Sequence, residues 1–317
     1  METTRLRDAG ISRACHLVSW GNPAAAGRAR GMKKHRIIFA PVPSGKYHRI
    51  IPFHAMQCTI LASGSKGNCM FIEGASGALL IDAGLSARET LARLFRAKKR
   101  PDSIAAILVT HEHHDHSAGI DALSRRLHVT TYATEGTLQD FLLNRRTSAR
   151  PIDTRTCRNH EPFSVNDFTI EPFATSHDAN EPCGFCVSEG GVRLGCCTDT
   201  GVITPSMKAV LQRCDGLVLE SNHCPVMLKN GPYPESLKRR IRSARGHLSN
   251  VAAARCLTEI GRDMHTIVLA HLSEVNNTPE KARMSAREGL GLFYDGTILV
   301  VATQEGTSET CPQVLYL

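Results

Sequence analysis

A chain of 317 residues can bury a full core, as one large domain or as two smaller ones. Its formal net charge of +8 suggests nucleic acid until it is located: residues 1–55 hold ten Lys or Arg against two Asp or Glu, and the remaining 28 bases and 28 acids cancel, so the folded body has no warrant for a basic face. No run approaches the roughly 20 apolar residues of a membrane span, and twelve Cys, several in apolar stretches and with no signal-peptide run ahead of them, read as reduced core thiols of a cytoplasmic protein.

Residues 1–55 carry no steady period. They read as poorly ordered or as a wrongly extended start with Met56 the initiator, an Arg-rich targeting leader being the other reading. From Met56 the pattern sharpens into strands at 58–62, 69–73 and 78–81, with a tight loop at 64–68 and Asp82-Ala83-Gly84 closing the third strand. Residues 86–100 read as a helix capped by Ser86, with Glu89 three positions on and Leu91, Leu94 and Phe95 as its apolar face. Lys98, Lys99 and Arg100 at its end read as solvated surface. A strand at 105–109 then leads to a helix at 117–126, and a strand at 128–130 to a helix at 134–146.

The middle of the chain changes character. Residues 163–165, 168–173, 184–188 and 192–198 read as consecutive strands, with turns at Asn166-Asp167 and Gly190-Gly191. Helices follow at 206–212, 234–243, 250–260 and 279–288, with strands at 216–220, 266–270 and 297–302. Hairpins and strand–helix units in two halves are best satisfied by two packed sheets with helices on the outer faces.

The chemistry concentrates in ILVTHEHHDHSAGI at 107–120. An apolar strand runs straight into His111, His113, Asp115 and His116. Alternation puts His111 and His113 on one side, while the turn carries Asp115 and His116 to a second position. Two neighbouring cations suit this spacing better than one; a solvated His-rich turn is the plain alternative. Three more polar residues stand just beyond apolar strands: His177 in ATSHDAN, Asp199 in CTDTG and His271 in LAHLS. Strand ends are where a sheet presents groups to a crevice.

These motifs resemble the metallo-beta-lactamase superfamily, whose first motif is H-x-H-x-D-H. The resemblance covers residues 56–317 and implies a single domain, an α/β four-layer αββα sandwich. It also implies that His111, His113 and His177 hold a first divalent metal ion, that Asp115, His116 and His271 hold a second, and that Asp199 bridges them. Zn2+ and Mn2+ both suit such ligands. Asp115 is in addition expected to be essential for catalysis. Lactamases proper often place Cys at the second site, so Asp199 favours a phosphodiesterase or thioester hydrolase. LASGSKGNC at 61–69, LIDAGLS at 80–86, ESNHCPVML at 220–228, GPYPESLKRRI at 231–241, GHLSN at 246–250 and LAHLSEVNNTPEKA at 269–282 are similar to the YycJ/WalJ branch. That branch implies a bacterial cytoplasmic 5′-to-3′ DNA exonuclease with a role in mismatch repair. Cys224 departs from it, standing where an acidic residue is expected after the His. A small-molecule hydrolase of a thioester or cyclic phosphodiester is the alternative enzyme, and a non-catalytic regulatory protein the alternative class.

Other residues extend the expected site. Glu220 and His247 resemble the carboxylate–imidazole relay of tRNA-processing phosphodiesterases, in which the imidazole protonates a leaving oxygen; a plain structural His is the other reading. Ser65, Lys66 and Asn68 offer donors suited to a substrate phosphate or to turn bonds. Asp82 is expected to support the metal ligands, Asn276 and Asn277 to line the same mouth, and His223 to be structural. Ser249 or Asn250 could cap the helix that follows. Cys183 and Cys186 have finger-like spacing but read as core thiols. Lys238, Arg239, Arg240, Arg242 and Arg245 precede His247 and could guide a polynucleotide, with Arg242 and Arg245 bordering an open groove.

Overall fold

The computed structural model describes residues 39–41, 47–49, 56–145, 151–305 and 314–316. The chain divides into two units, residues 1–49 and 50–317. In the first, β1 (Phe39–Pro41) pairs antiparallel with β2 (Tyr47–Arg49). The reading of the rest of residues 1–55 lies outside the described residues.

The second unit opens with β3 (Gln57–Ala62), β4 (Cys69–Gly74) and β5 (Gly77–Ile81), then α1 (Ala87–Arg96), β6 (Ile104–Leu108), α2 (His114–Ser117) and α3 (Ile120–Leu127). Next come β7 (Thr130–Ala133), α4 (Glu135–Leu143), β8 (Thr154–Thr156), β9 (Phe163–Val165), β10 (Phe168–Ala174), β11 (Cys183–Glu189) and β12 (Val192–Cys197). The last part holds α5 (Pro205–Leu211), β13 (Gly216–Glu220), α6 (Pro225–Asn230), α7 (Glu235–Arg242), α8 (Asn250–Ile260), β14 (Thr266–Ala270), α9 (Pro279–Leu290), β15 (Ile298–Val301) and β16 (Val314–Tyr316). One sheet has the order β16-β3-β4-β5-β6-β7-β8 and the other β15-β14-β13-β12-β11-β10-β9. Strands β5 to β8 run parallel, as do β12 to β15.

Period-two alternation divides each strand between two cores. Met70 and Ile72 of β4 meet Val218 of β13 and Val268 of β14 between the sheets. Their neighbours Cys69 and Phe71 turn outward onto Leu94 of α1 and Ile120 and Leu123 of α3. Across the sandwich, Leu217 and Leu219 pack outward on Met207, Leu257 and Ala286 of α5, α8 and α9. The result is four layers, αββα. Full burial of a side chain such as Phe71 or Phe185 contributes about 1.5–3 kcal/mol. Among the described residues no helix is long and apolar enough to cross a membrane.

Several expectations need correction. The helix expected over 86–100 ends at Arg96, and Lys98 sits at φ 57°. Phe95 is 84% exposed, because the buried stripe runs through Thr90, Leu94 and Ala97 and the next position lies about 100° round the helix. Lys99 is half-buried rather than solvated, its Nζ donating to Gln57 Oε1 at 2.9 Å and Glu73 Oε2 at 2.7 Å. The helix expected over 117–126 is broken between α2 and α3, where Gly119 N donates to Ala83 O at 2.7 Å. A Cβ on Gly119 would stand 2.1 Å from Leu85 O, so the chains approach too closely for a side chain. The strand expected at 128–130 starts at Thr130, because His128 takes a left-handed conformation to close α3. Strand β8 and helix α6 had no clear periodic signal. Cys183 and Cys186 belong to opposite cores, so they cannot share a metal and act as core thiols.

Candidate metal centre

Strands β5, β6, β10, β12, β13 and β14 deliver the polar residues at their C-terminal ends to one place. Three of the residues just past these ends are left-handed: Asp82 at φ 60°, Asp199 at φ 55° and His271 at φ 54°. Such backbone costs about 1–3 kcal/mol at a non-glycine position and persists only where its surroundings hold it. Here His271 N donates to Ser63 Oγ at 2.8 Å, and Asn222 Nδ2 to His271 O at 2.9 Å. Asp82 is held by Thr110, whose backbone N–H donates to its Oδ1 at 2.8 Å.

Two of the imidazoles, His116 and His177, are aimed by a partner on the far side. His116 Nδ1 donates to Asp82 Oδ2 at 2.7 Å, leaving Nε2 3.5 Å from Asp115 Oδ2 and 3.3 Å from Asp199 Oδ2. His177 Nδ1 donates to Gly246 O at 3.0 Å, leaving Nε2 3.8 Å from Asp199 Oδ1. His111 Nε2 lies 3.1 Å from His113 Nδ1, and His271 Nε2 lies 3.9 Å from Asp115 Oδ2. Ligand atoms of His111, His113 and His177 lie within 4.8 Å of one another, as do those of Asp115, His116 and His271. Asp199 groups with His111 and His116 on one side and with His271 on the other.

Charge follows from burial and neighbours. Burial and the charge of His116 push His111 well below the usual imidazole range, and burial lowers His177. Burial opposes a charge on His116, but Asp199 and Asp82 hold it well above that range. Burial likewise opposes ionisation of Asp199, yet His271 and His116 hold its carboxyl well below the carboxylate range. Within the seven expected ligand residues, two buried atoms remain without a hydrogen-bond partner: Asp199 Oδ2, and His271 Nδ1 despite its 2.8 Å separation from Asp199 Oδ1. Converging nitrogen and carboxylate donors, with buried polar atoms the protein itself does not satisfy, fit divalent metal ions.

Beside this cluster, His247 Nδ1 donates to Glu220 Oε1 at 2.7 Å. Glu220 is fully buried and also accepts Thr200 N at 2.8 Å and Leu248 N at 3.2 Å on Oε2. His247, Asp115, His177, Asp199 and His271 line one cavity of about 290 Å³.

The structure therefore brings together all seven residues expected as metal ligands, with Glu220 and His247 beside them. The loop residues divide. Ser65 lines the cavity; Lys66 is exposed and paired with Glu274 at 2.7 Å; Asn68 is buried, its Oδ1 accepting Gly64 N at 2.9 Å in the turn. Ser249 is the cap of α8, accepting Ala252 N at 3.2 Å. His223 is buried, and burial pushes it down to about 4. Asn276 and Asn277 do not line the mouth: both are buried, and Asn277 Nδ2 holds the backbone of Ser221 and Asn222. Arg242 and Arg245 do not line the cavity either. Arg242 pairs with Glu235 at 2.6 Å, and Arg245 donates to His177 O at 3.1 Å. The sequence reading missed Asp178, Asn222, Tyr233 and Ser273, which line the cavity. Only the place of Asp178 beside His177 hinted at any of them.

The chain matches the model of the beta-lactamase superfamily domain over residues 78–272. It is 38% identical over 243 residues to exodeoxyribonuclease YycJ of Bacillus anthracis, covering 74% of this chain and 89% of that protein. It is 35% identical over 261 residues to exodeoxyribonuclease WalJ of Streptococcus pneumoniae, covering 80% of this chain and 96% of that one. Among solved structures, Zn2+-bound PqqB from Methylobacterium extorquens superposes with a TM-score of 0.62 at 18% identity, covering 82% of this chain and 100% of that one, a likeness of fold. The protein is a metal-dependent hydrolase, and its chain belongs to the metallo-beta-lactamase superfamily and, within it, to the YycJ/WalJ branch.

Proposed function

We propose that the chain hydrolyses phosphodiesters with two divalent metal ions, as a 5′-to-3′ DNA exonuclease of the cytoplasm associated with mismatch repair. The observation that carries the reading is the carboxylate-held imidazole of His247 opening into the same cavity as Asp115, His177, Asp199 and His271. The similarity to the exodeoxyribonucleases YycJ and WalJ supports DNA as the substrate. Buried free thiols such as Cys58, Cys196 and Cys197 agree with a reducing compartment.

In this reading His111, His113 and His177 hold one cation, Asp115, His116 and His271 the other, and Asp199 reaches both. The donor set suits zinc or manganese. Bound cations of this kind polarise a phosphoryl oxygen and lower the pKa of water. The chain's own residues do the rest. Asp82 keeps a proton on His116 Nδ1 and so frees Nε2. Gly246 O does the same for His177. Glu220 accepts from His247 Nδ1, so His247 Nε2 is the atom that delivers a proton to the leaving oxygen. In this reading Ser65, which lines the cavity, donates to a substrate phosphate.

The test uses the full chain purified without chelator. Metal analysis is followed by digestion of 5′-phosphorylated single- and double-stranded DNA in manganese, beside bis-p-nitrophenyl phosphate. About two metals per chain and stepwise nucleotide release from the 5′ end support the exonuclease. Cleavage of the small ester alone moves the function to a small-molecule hydrolase. That second reading is favoured by one observation: the cavity, at about 290 Å³, is at the small end of ligand pockets.

A further inference from the structure

The α7 wall of the cavity carries a guanidinium that neither the metal cluster nor the His247–Glu220 pair uses. Arg240 lines the cavity with its side chain 60% exposed, and its Nε donates to Asp178 Oδ2 at 2.5 Å. Asp178 is itself tied to the centre, with Oδ1 3.3 Å from His177 Nε2. A guanidinium presents five donors in a planar fork. Pairing through Nε leaves both Nη groups of Arg240 without a protein partner among the described residues.

The other cations of this stretch are differently placed. Lys238 Nζ donates to Lys229 O at 2.9 Å, Arg242 pairs with Glu235, and Arg245 donates to the backbone of His177 and Ala179. Arg239 is exposed and does not line the cavity. Of the cavity carboxylates, Asp115 and Asp199 belong to the proposed cation sites, which leaves Asp178 as the one whose charge an entering anion meets unless a neighbouring cation compensates. Arg240 neutralises Asp178 and still has the fork that matches two phosphate oxygens.

We propose that Arg240 binds a phosphate of the substrate strand beside the scissile one, with Asp178 as the residue that positions its guanidinium. The inference rests on the nuclease reading and names the contact that sets its preference for a polyanion over a small ester.

The experiment uses the full chain loaded with manganese, comparing Arg240→Ala, Arg240→Lys and, as a control one position along α7, Arg239→Ala. Arg240→Ala is expected to raise KM for DNA about ten- to hundredfold, the range for a lost charge-assisted hydrogen bond, with kcat changed far less. The slope of log KM against log salt should fall by about one unit. Arg240→Lys should recover part of KM, because it restores charge without the fork, and Arg239→Ala should keep the unaltered KM. A defect confined to 5′-phosphorylated DNA identifies a terminal phosphate, and an equal defect on 5′-hydroxyl DNA identifies an internal one; either supports the proposal. It is overturned if Arg240→Ala matches Arg239→Ala in KM and salt slope, if Arg240→Lys is no better than Arg240→Ala, or if Arg240→Ala loses bound metal or melting temperature in step with activity. An unaltered chain that digests no DNA overturns the nuclease reading itself, and this proposal with it.

Discussion

His247 Nδ1 stands 2.7 Å from Glu220 Oε1, and the second oxygen of that carboxylate is satisfied by the backbone N–H groups of Thr200 and Leu248. Burial disfavours the imidazolium, but the charge and hydrogen bond of Glu220 outweigh it and hold His247 up at about 9. A group whose folded pKa is raised adds stability that is complete below its unfolded value, about 6.5, and lost as pH rises through the folded value. The chelator-treated chain should therefore lose stability between about pH 6.5 and about 9. Glu220→Gln keeps the shape and removes the charge, so that limb should flatten. Urea unfolding at both ends of the window reads it, and an equal fall in the two proteins would contradict the pairing. In the loaded enzyme, His247→Ala should lower kcat on DNA by about 10²–10⁴.

Asp82 acts on the metal centre through His116. Its Oδ2 accepts His116 Nδ1, and Thr110 Oγ1 donates to the same carboxylate at 2.9 Å. Asp82→Asn removes the charge behind the imidazole and can turn a donor toward it. Metal affinity should fall about ten- to hundredfold, measured by competition with a chromogenic chelator and without reference to turnover. An unchanged affinity would show that His116 needs no such partner.

Gly84 lies where two site loops touch. A Cβ there would stand 1.6 Å from Asp115 O, which accepts Asn68 N at 2.7 Å. Gly84→Ala must displace the Asp115 turn, at a cost of about 1–3 kcal/mol or more, so melting temperature and bound metal should fall together. Gly296 has nothing within 4 Å of its Cβ position, and Gly296→Ala should stay within about 0.5 kcal/mol. Retention of metal by Gly84→Ala would sink the close-approach argument.

The thiols should react by burial. Burial pushes Cys58 and Cys256 up to about 12, whereas Cys224 is only partly buried. Iodoacetamide at pH 8 should label Cys224 well before either, as read by peptide mass spectrometry. Equal rates at Cys58 and Cys224 would mean that the inter-sheet core opens freely.

The seven residues expected as ligands were legible because each stands just past an apolar strand, and parallel strands bring their ends to one edge. Side-chain alternation made the two sheets and their outer helices legible in the same way. Phe95 and Lys99 were misjudged because local pattern does not say which helical stripe meets the sheet, or which lysine finds a carboxylate on a neighbouring strand. Arg242 and Arg245 illustrate the same limit: adjacency to His247 in sequence says nothing of direction, and both are engaged elsewhere.

By itself, then, the sequence determined the sandwich and the residues that meet at the candidate metal centre, since strand period and dense His and Asp motifs are local properties. The pairing of Glu220 with His247 was expected from the resemblance, whereas only the tertiary structure decided that Asp82 holds His116 and that Arg240 of all the α7 cations faces the cavity beside Asp178. Those pairings join residues between 27 and 62 positions apart, and they depend on how the two sheets and α7 pack. Long-range packing decides which partner a side chain meets, which sequence spacing alone does not encode.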